Sequence, residues 1–296
     1  MDKKLEDILT NEFTNVMKYL DHHVAPMIDF ISEVSSHLYL SSFDPACDIN
    51  TLMEMDIDGV LYLSDRCYKD EEILNDYKLN EIEHYFIPLL DEPSQDLSDA
   101  FNKSYNIITS YVEKDKKILI HCESGISRCA TILCGYLLKR QYMVSFNKYK
   151  HIKNLYIKKQ LYTGLISVNQ YLLTKILKYI KQYRQCVYPN PGFVQQLLML
   201  EYRLKISLTN QVNEILETDA KNNKIVRPPR TKKINTLSEI VNTYMEKSDV
   251  KNTLDEDITK PESEDELDNN DISDDNFDGD FDIDLDADFD IDDLDF

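Results

Sequence analysis

Apolar residues recur along the first twenty positions at helical spacing: Leu5, Ile8, Leu9, Phe13, Val16, Met17 and Leu20. That period predicts an amphipathic helix over 3–20, with Asp2 placed to cap it. Such a helix either packs on the domain that follows or offers its stripe to a partner. Short strand-like runs come next, at 37–42, 59–64, 84–90 and 117–121. Helical segments fall between them, near 48–56 and 97–113. Strand alternating with helix predicts an α/β fold: a central, mostly parallel sheet of four to five strands flanked by helices. After residue 121 the pattern turns helical, over 128–141, 171–183 and 192–204. Residues 143–170, rich in Lys, Tyr, Asn and Ile, hold one or two further helices.

The periodicity fades beyond 206. Residues 207–250 read as a connector, with a basic run at 221–233 broken by Pro228 and Pro229 and a short amphipathic helix at 237–247. The final segment alternates Asp with Phe, Ile, Leu or Ala. Period two suits a strand, but its neighbouring carboxylates repel, so disorder is the expectation. The plan is an N-terminal helix (1–27), a main domain (28–206) with a helical insertion near 143–170, a basic linker (207–250) and a disordered acidic tail (251–296).

Charge sharpens this plan. The formal net charge of −21 is extreme, yet residues 255–296 alone hold 21 acidic residues against one basic, Lys260. The remainder, with 33 acidic and 32 basic residues, is close to neutral. The acidity therefore belongs to the tail and says nothing about the ligand of the core. It leaves the tail open to a basic or regulatory partner. The six cysteines form no CxxC pair, which argues against a zinc site. The first residues lack the apolar run of a signal peptide, and no segment has the apolar length of a membrane span. The expectation is an intracellular protein, cytoplasmic or nuclear, with reduced thiols and no membrane partner.

The chemistry concentrates at His121-Cys122-Glu123-Ser124-Gly125-Ile126-Ser127-Arg128. Residues 117–121 read as a buried strand, Gly125 permits a tight turn, and a helix starts at Arg128. Cys122 thus sits where a strand ends and a helix begins. Backbone N–H groups of 123–128 can converge there into an anion nest. Arg128 adds a planar guanidinium fork that matches two phosphate oxygens. The same field favours a thiolate at Cys122, a nucleophile that needs no separate base.

His-Cys-x-x-Gly-x-x-Arg resembles the signature of cysteine-dependent phosphatases. Further segments resemble the dual-specificity protein phosphatases among them: His37-Leu38-Tyr39-Leu40 as opening strand, Ile87-Pro88-Leu89-Leu90-Asp91 as general-acid loop, the helix from Arg128, and Tyr188-Pro189-Asn190-Pro191 as closing segment. The resemblance covers roughly 28–206. It implies a cysteine-phosphatase fold and a two-step displacement through a phosphocysteine. Cys122 would attack phosphorus. Asp91, with Asp96 as fallback, would protonate the leaving oxygen and then activate water. Glu123, Ser124, Gly125, Ile126, Ser127 and Arg128 would hold the phosphate, His121 would orient the loop and help set the thiol pKa, and Asn190 would brace it. No metal or cofactor is implied, because Arg128 and the N–H groups supply the charge stabilisation.

Two departures stand out. The family usually has Ser or Thr after the loop arginine; here Cys129 stands there, a weaker donor to the departing thiolate or a trap for oxidised Cys122. Some 28 residues also intervene between the helix ending near 141 and the one near 172. They form either a solvated insertion or a docking surface for an acidic partner or the acidic tail. Loop lysines, usual where phosphoinositides are hydrolysed, are missing here. The expected substrate is a phosphoprotein, with phosphotyrosine and phosphoserine/threonine both admitted. A phosphoprotein-binding module with weak turnover and an RNA 5′-phosphatase are the alternatives; the near-neutral core argues against nucleic acid.

Overall fold

The computed structural model describes residues 3–68, 71–167 and 171–222. The expected short helix at 237–247 and the acidic tail lie outside the described residues, as does Asp2. Five strands form one sheet in the order β1-β2-β5-β3-β4. They are β1 (Ser32–Glu33), β2 (Leu38–Ser41), β3 (Gly59–Ser64), β4 (Glu83–Pro88) and β5 (Ile118–His121). β1 is antiparallel to β2, and the other pairings are parallel.

The three central strands are buried throughout, as parallel strands covered on both faces must be. Alternation divides their side chains between two cores. Leu38, Leu40, Leu61, Leu63, Ile118 and Ile120 point into the larger one. Tyr39, Val60, Tyr62 and Leu119 point into the smaller.

The smaller core is closed by α2 (Phe43–Cys47), α3 (Ile49–Glu54) and α4 (Glu71–Leu79). The larger is closed by α1 (Lys3–His22), α5 (Ser98–Val112), α6 (Arg128–Lys150), α7 (Leu155–Leu165), α8 (Leu173–Tyr183) and α9 (Pro191–Asn222). The N-terminal stripe packs inward: Val16 and Leu20 are fully buried, with Leu9, Phe13 and Met17 against the same core. The packing reading of that helix therefore holds.

The structure corrects the sequence in several places. β1 and α4 were not anticipated, and the segment near 48–56 is helical only over α3, with α2 just before it. The helix from Arg128 runs on to Lys150 because Tyr142, Ser145 and Phe146 continue its buried face. Asn154 then caps α7, accepting a hydrogen bond from the Ile157 backbone N–H at 3.1 Å. Residues 207–222 belong to α9 and not to the linker. Leu208 and Val212 are buried there, at i and i+4, with Ile215 and Leu216 packed beside them. Among the described residues no helix is long and apolar enough to cross a membrane.

Candidate active site

The loop after β5 is held open from outside. Three of its carbonyls accept hydrogen bonds from neighbouring segments: Glu123 O from Phe43 N (3.1 Å), Ile126 O from Tyr188 N (2.9 Å) and Gly125 O from Arg184 Nε (2.8 Å). Arg184 is wholly buried. Its remaining nitrogens donate to Ile28 O, Phe30 O and Ser32 Oγ, at 2.9, 2.9 and 3.2 Å. One guanidinium thus ties the loop after β5 to the 28–32 segment. Gly125 has φ +65°, and a Cβ there would lie 2.4 Å from Arg184 Nη2 and 2.6 Å from the Ser42 backbone N. Only glycine meets both demands. Sequence reasoning missed Arg184, which has no motif of its own.

Cys122 is buried at the centre of the loop, its sulfur 3.5 Å from that of Cys129. Its thiol is pulled down to about 6 from an ordinary 9.0. The Cys129 side chain is the largest cause; burial opposes it, and the Cys129 amide, the Arg128 charge and the Gly125 amide add to it. Cys129 itself is pushed well up, by burial first and then by Cys122. One thiol ionises at the expense of the other, and once Cys122 is a thiolate only Cys129 can donate between them.

Asp91 reaches over the loop from the segment after β4. Its Oδ1 accepts from Ser127 Oγ at 2.7 Å and from Asn190 Nδ2 at 2.8 Å, and its Oδ2 lies 3.7 Å from Arg128 Nε. Arg128 is buried and also donates to Leu89 O at 3.4 Å. Asn190 links three parts: its N–H donates to Ser127 Oγ at 3.2 Å, its amide to Asp91, and its Oδ1 accepts from Phe193 N at 3.0 Å at the start of α9.

Asp96, the fallback acid, does not join them. It accepts from Ser98 N at 2.9 Å, and that hydrogen bond holds its carboxyl below the usual range.

Two loop side chains turn away from the phosphate position. Glu123 accepts from Tyr62 Oη and, at 3.0 Å, from Ser64 Oγ, so it can serve a phosphate only through its backbone. His121 is buried in a tyrosine cluster: stacked on Tyr62 at 4.6 Å, with Tyr68 Oη 2.6 Å from its Nε2. Burial, helped by His84, drops its pKa to about 3, so the imidazole is neutral. The Cys122 backbone acts the other way on it, raising its pKa.

A thiol with a lowered pKa, a guanidinium and a carboxyl thus gather around one strand–loop–helix turn. Residues 38–160 match the family model for the dual specificity phosphatase catalytic domain. It is 29% identical over 178 residues to dual specificity protein phosphatase 5 of Homo sapiens, covering 60% of this chain and 37% of that protein. It is 26% identical over 184 residues to tyrosine-protein phosphatase yvh1 of Schizosaccharomyces pombe, covering 62% and 45%. The chain thus spans less than half the length of these relatives. Among solved structures, the Yvh1 phosphatase domain from Chaetomium thermophilum is similar at 22% identity and a TM-score of 0.43, covering 57% of this chain and 94% of that one. Arg184 and Asn190 lie beyond the matched family segment.

Proposed function

We propose that this chain is a protein phosphatase that hydrolyses phosphotyrosine and phosphoserine/threonine through a phosphocysteine intermediate. The observation that carries this reading is geometric: Cys122 is buried at the strand–loop–helix turn, 3.5 Å from Cys129, and on the same loop Arg128 stands 3.7 Å from Asp91, surroundings that lower the Cys122 thiol. At neutral pH the sulfur is a thiolate. It attacks phosphorus while Arg128 and the amides of 123–128 bind the phosphoryl oxygens. Asp91 gives a proton to the leaving oxygen, then takes one from the water that breaks the S–P bond. Asn190 and Ser127 position Asp91 for both steps. None of the six cysteines, all among the described residues, is disulfide-bonded, which supports an intracellular, reducing setting.

The test is a phosphate-release panel: phosphotyrosine peptide, phosphothreonine peptide, a phosphoinositide and triphosphorylated RNA, with Cys122→Ser as control. The reading expects release from both peptides, abolished in the control. Tight binding of phosphopeptide without release, or release from RNA alone, would overturn it.

A further inference from the structure

The sequence holds no Asp or Glu from Ser124 to Leu200, but twelve Lys and Arg. Some of these are used inside the fold, Arg128 and Arg184 among them. Four are exposed together where α6 ends and α7 begins: Lys148, Lys150, Lys153 and Lys159. Elsewhere, some lysines meet carboxylates of their own: exposed Lys103 with Asp99, and half-buried Lys116 and Lys117 with Asp58 and Asp56. At the α6–α7 corner the one such pair is Lys158 with Asp219, at 2.5 Å, among the described residues.

That pair also fixes where the chain leaves the described structure. Lys158 Nζ bonds Asp219 of α9 and, at 3.0 Å, the Lys150 carbonyl that ends α6. Asp219 lies one helical turn before Asn222, the last described residue. The segment with 21 acidic residues begins at Asp255, 33 residues further on. A chain of that length can span up to about 100 Å, so the acidic segment can return to the corner beside which α9 ends.

We propose that the acidic segment 255–296 docks on the basic corner of α6 and α7 within the same chain. A single exposed lysine–carboxylate pair is weak and screened by salt. Here four lysines face many carboxylates, and the tether makes the encounter intramolecular. The docked segment lies away from the catalytic loop. α6 starts in that loop at Arg128 and reaches the corner 23 residues later, a length of about 34 Å at the helical rise.

Carbodiimide cross-linking of the full chain at low salt, followed by peptide mass mapping, tests this. Most links from 255–296 are expected on Lys148, Lys150, Lys153 and Lys159. Their yield should be unchanged by tenfold dilution and cut about fivefold or more in molar salt, where charges are screened within a few ångströms. The combined variant Lys148→Glu, Lys150→Glu, Lys153→Glu, Lys159→Glu should show at low salt the larger hydrodynamic radius that the unaltered chain shows at high salt. Links gathered on Lys221, Lys224, Lys232 and Lys233 would place the segment on its own basic connector and overturn the proposal. So would links scattered over Lys103, Lys114 and Lys116, links formed only between two chains, or a radius that the variant leaves unchanged.

Discussion

Replacing Cys129 by Ala removes the largest influence that keeps Cys122 acidic. The drop from 9.0 to about 6 corresponds to about 4 kcal/mol of preference for the thiolate. Hydrogen bonds to charged groups are worth about 1.5–3 kcal/mol, and a thiol belongs at the lower end. Its loss should raise the Cys122 pKa by about one unit, to about 7. The assay is thiolate absorbance in the ultraviolet across a pH titration, with Cys122→Ser subtracted. Cys129→Ser keeps a donor, a stronger one, so its inflection should fall at or below that of the unaltered protein. It should also hydrolyse the phosphoenzyme faster in burst kinetics, because the hydroxyl better supports the departing thiolate. Coincident inflections for Cys129→Ala and the unaltered chain would refute the reasoning, as would equal phosphoenzyme breakdown for Cys129→Ser.

The same shift has a stability consequence. The folded pKa of Cys122 lies below its unfolded value, so its stabilisation is fully present above pH 9 and is lost as pH falls through about 6. The stability of the unaltered protein over Cys122→Ser should therefore grow as pH rises between those values. Denaturant unfolding at several pH values measures it; a difference that stays flat would contradict the shift.

Three further outcomes follow from the geometry. Asp91→Asn should slow turnover of phosphate esters with poor leaving groups by about 10²–10⁴, the usual range for a positioned acid, and act much less on esters of acidic phenols; an equal loss on both would remove Asp91 from proton transfer. Arg184→Ala leaves four acceptors without their donor, the Gly125 carbonyl and Ser32 hydroxyl buried and the Ile28 and Phe30 carbonyls partly so, and should lower unfolding stability by at least about 2 kcal/mol, whereas a surface-like change within about 0.5 kcal/mol would show that the tie is idle. With mild peroxide, the Cys122 thiolate takes oxygen to give a sulfenic acid and releases hydroxide, and the Cys129 thiol then displaces water to form a disulfide; mass mapping should find this Cys122–Cys129 bridge, and its absence would reject the trap.

How much of this was legible beforehand depends on how local each feature is. β3 was readable to the residue because its six positions are all buried and the run Val60-Leu61-Tyr62-Leu63 lies between Gly59 and Ser64. β1 has two residues and no pattern, and exists only because β2 offers it an edge. α4 hides behind Glu71 and Glu72, and its contacts with the core are three residues, Ile73, Leu74 and Tyr77. The reach of α9 was masked by Ser207, Thr209, Asn210 and Gln211, which face outward or partly so while Leu208 and Val212 carry the stripe. The same division runs through the site. Cys122, Gly125 and Arg128 sit in one contiguous turn whose chemistry is written in its spacing. Asp91 and Asn190 come from distant segments, and only the family resemblance pointed to them. Arg184 was invisible, because its role is made of acceptors near residues 28–32 and 125 that nothing in its own neighbourhood announces. The reactive groups are local and the rigidity that aims them is not. Substitutions at Arg184 or Asn190 should therefore disturb the geometry of the site while removing none of the reacting groups.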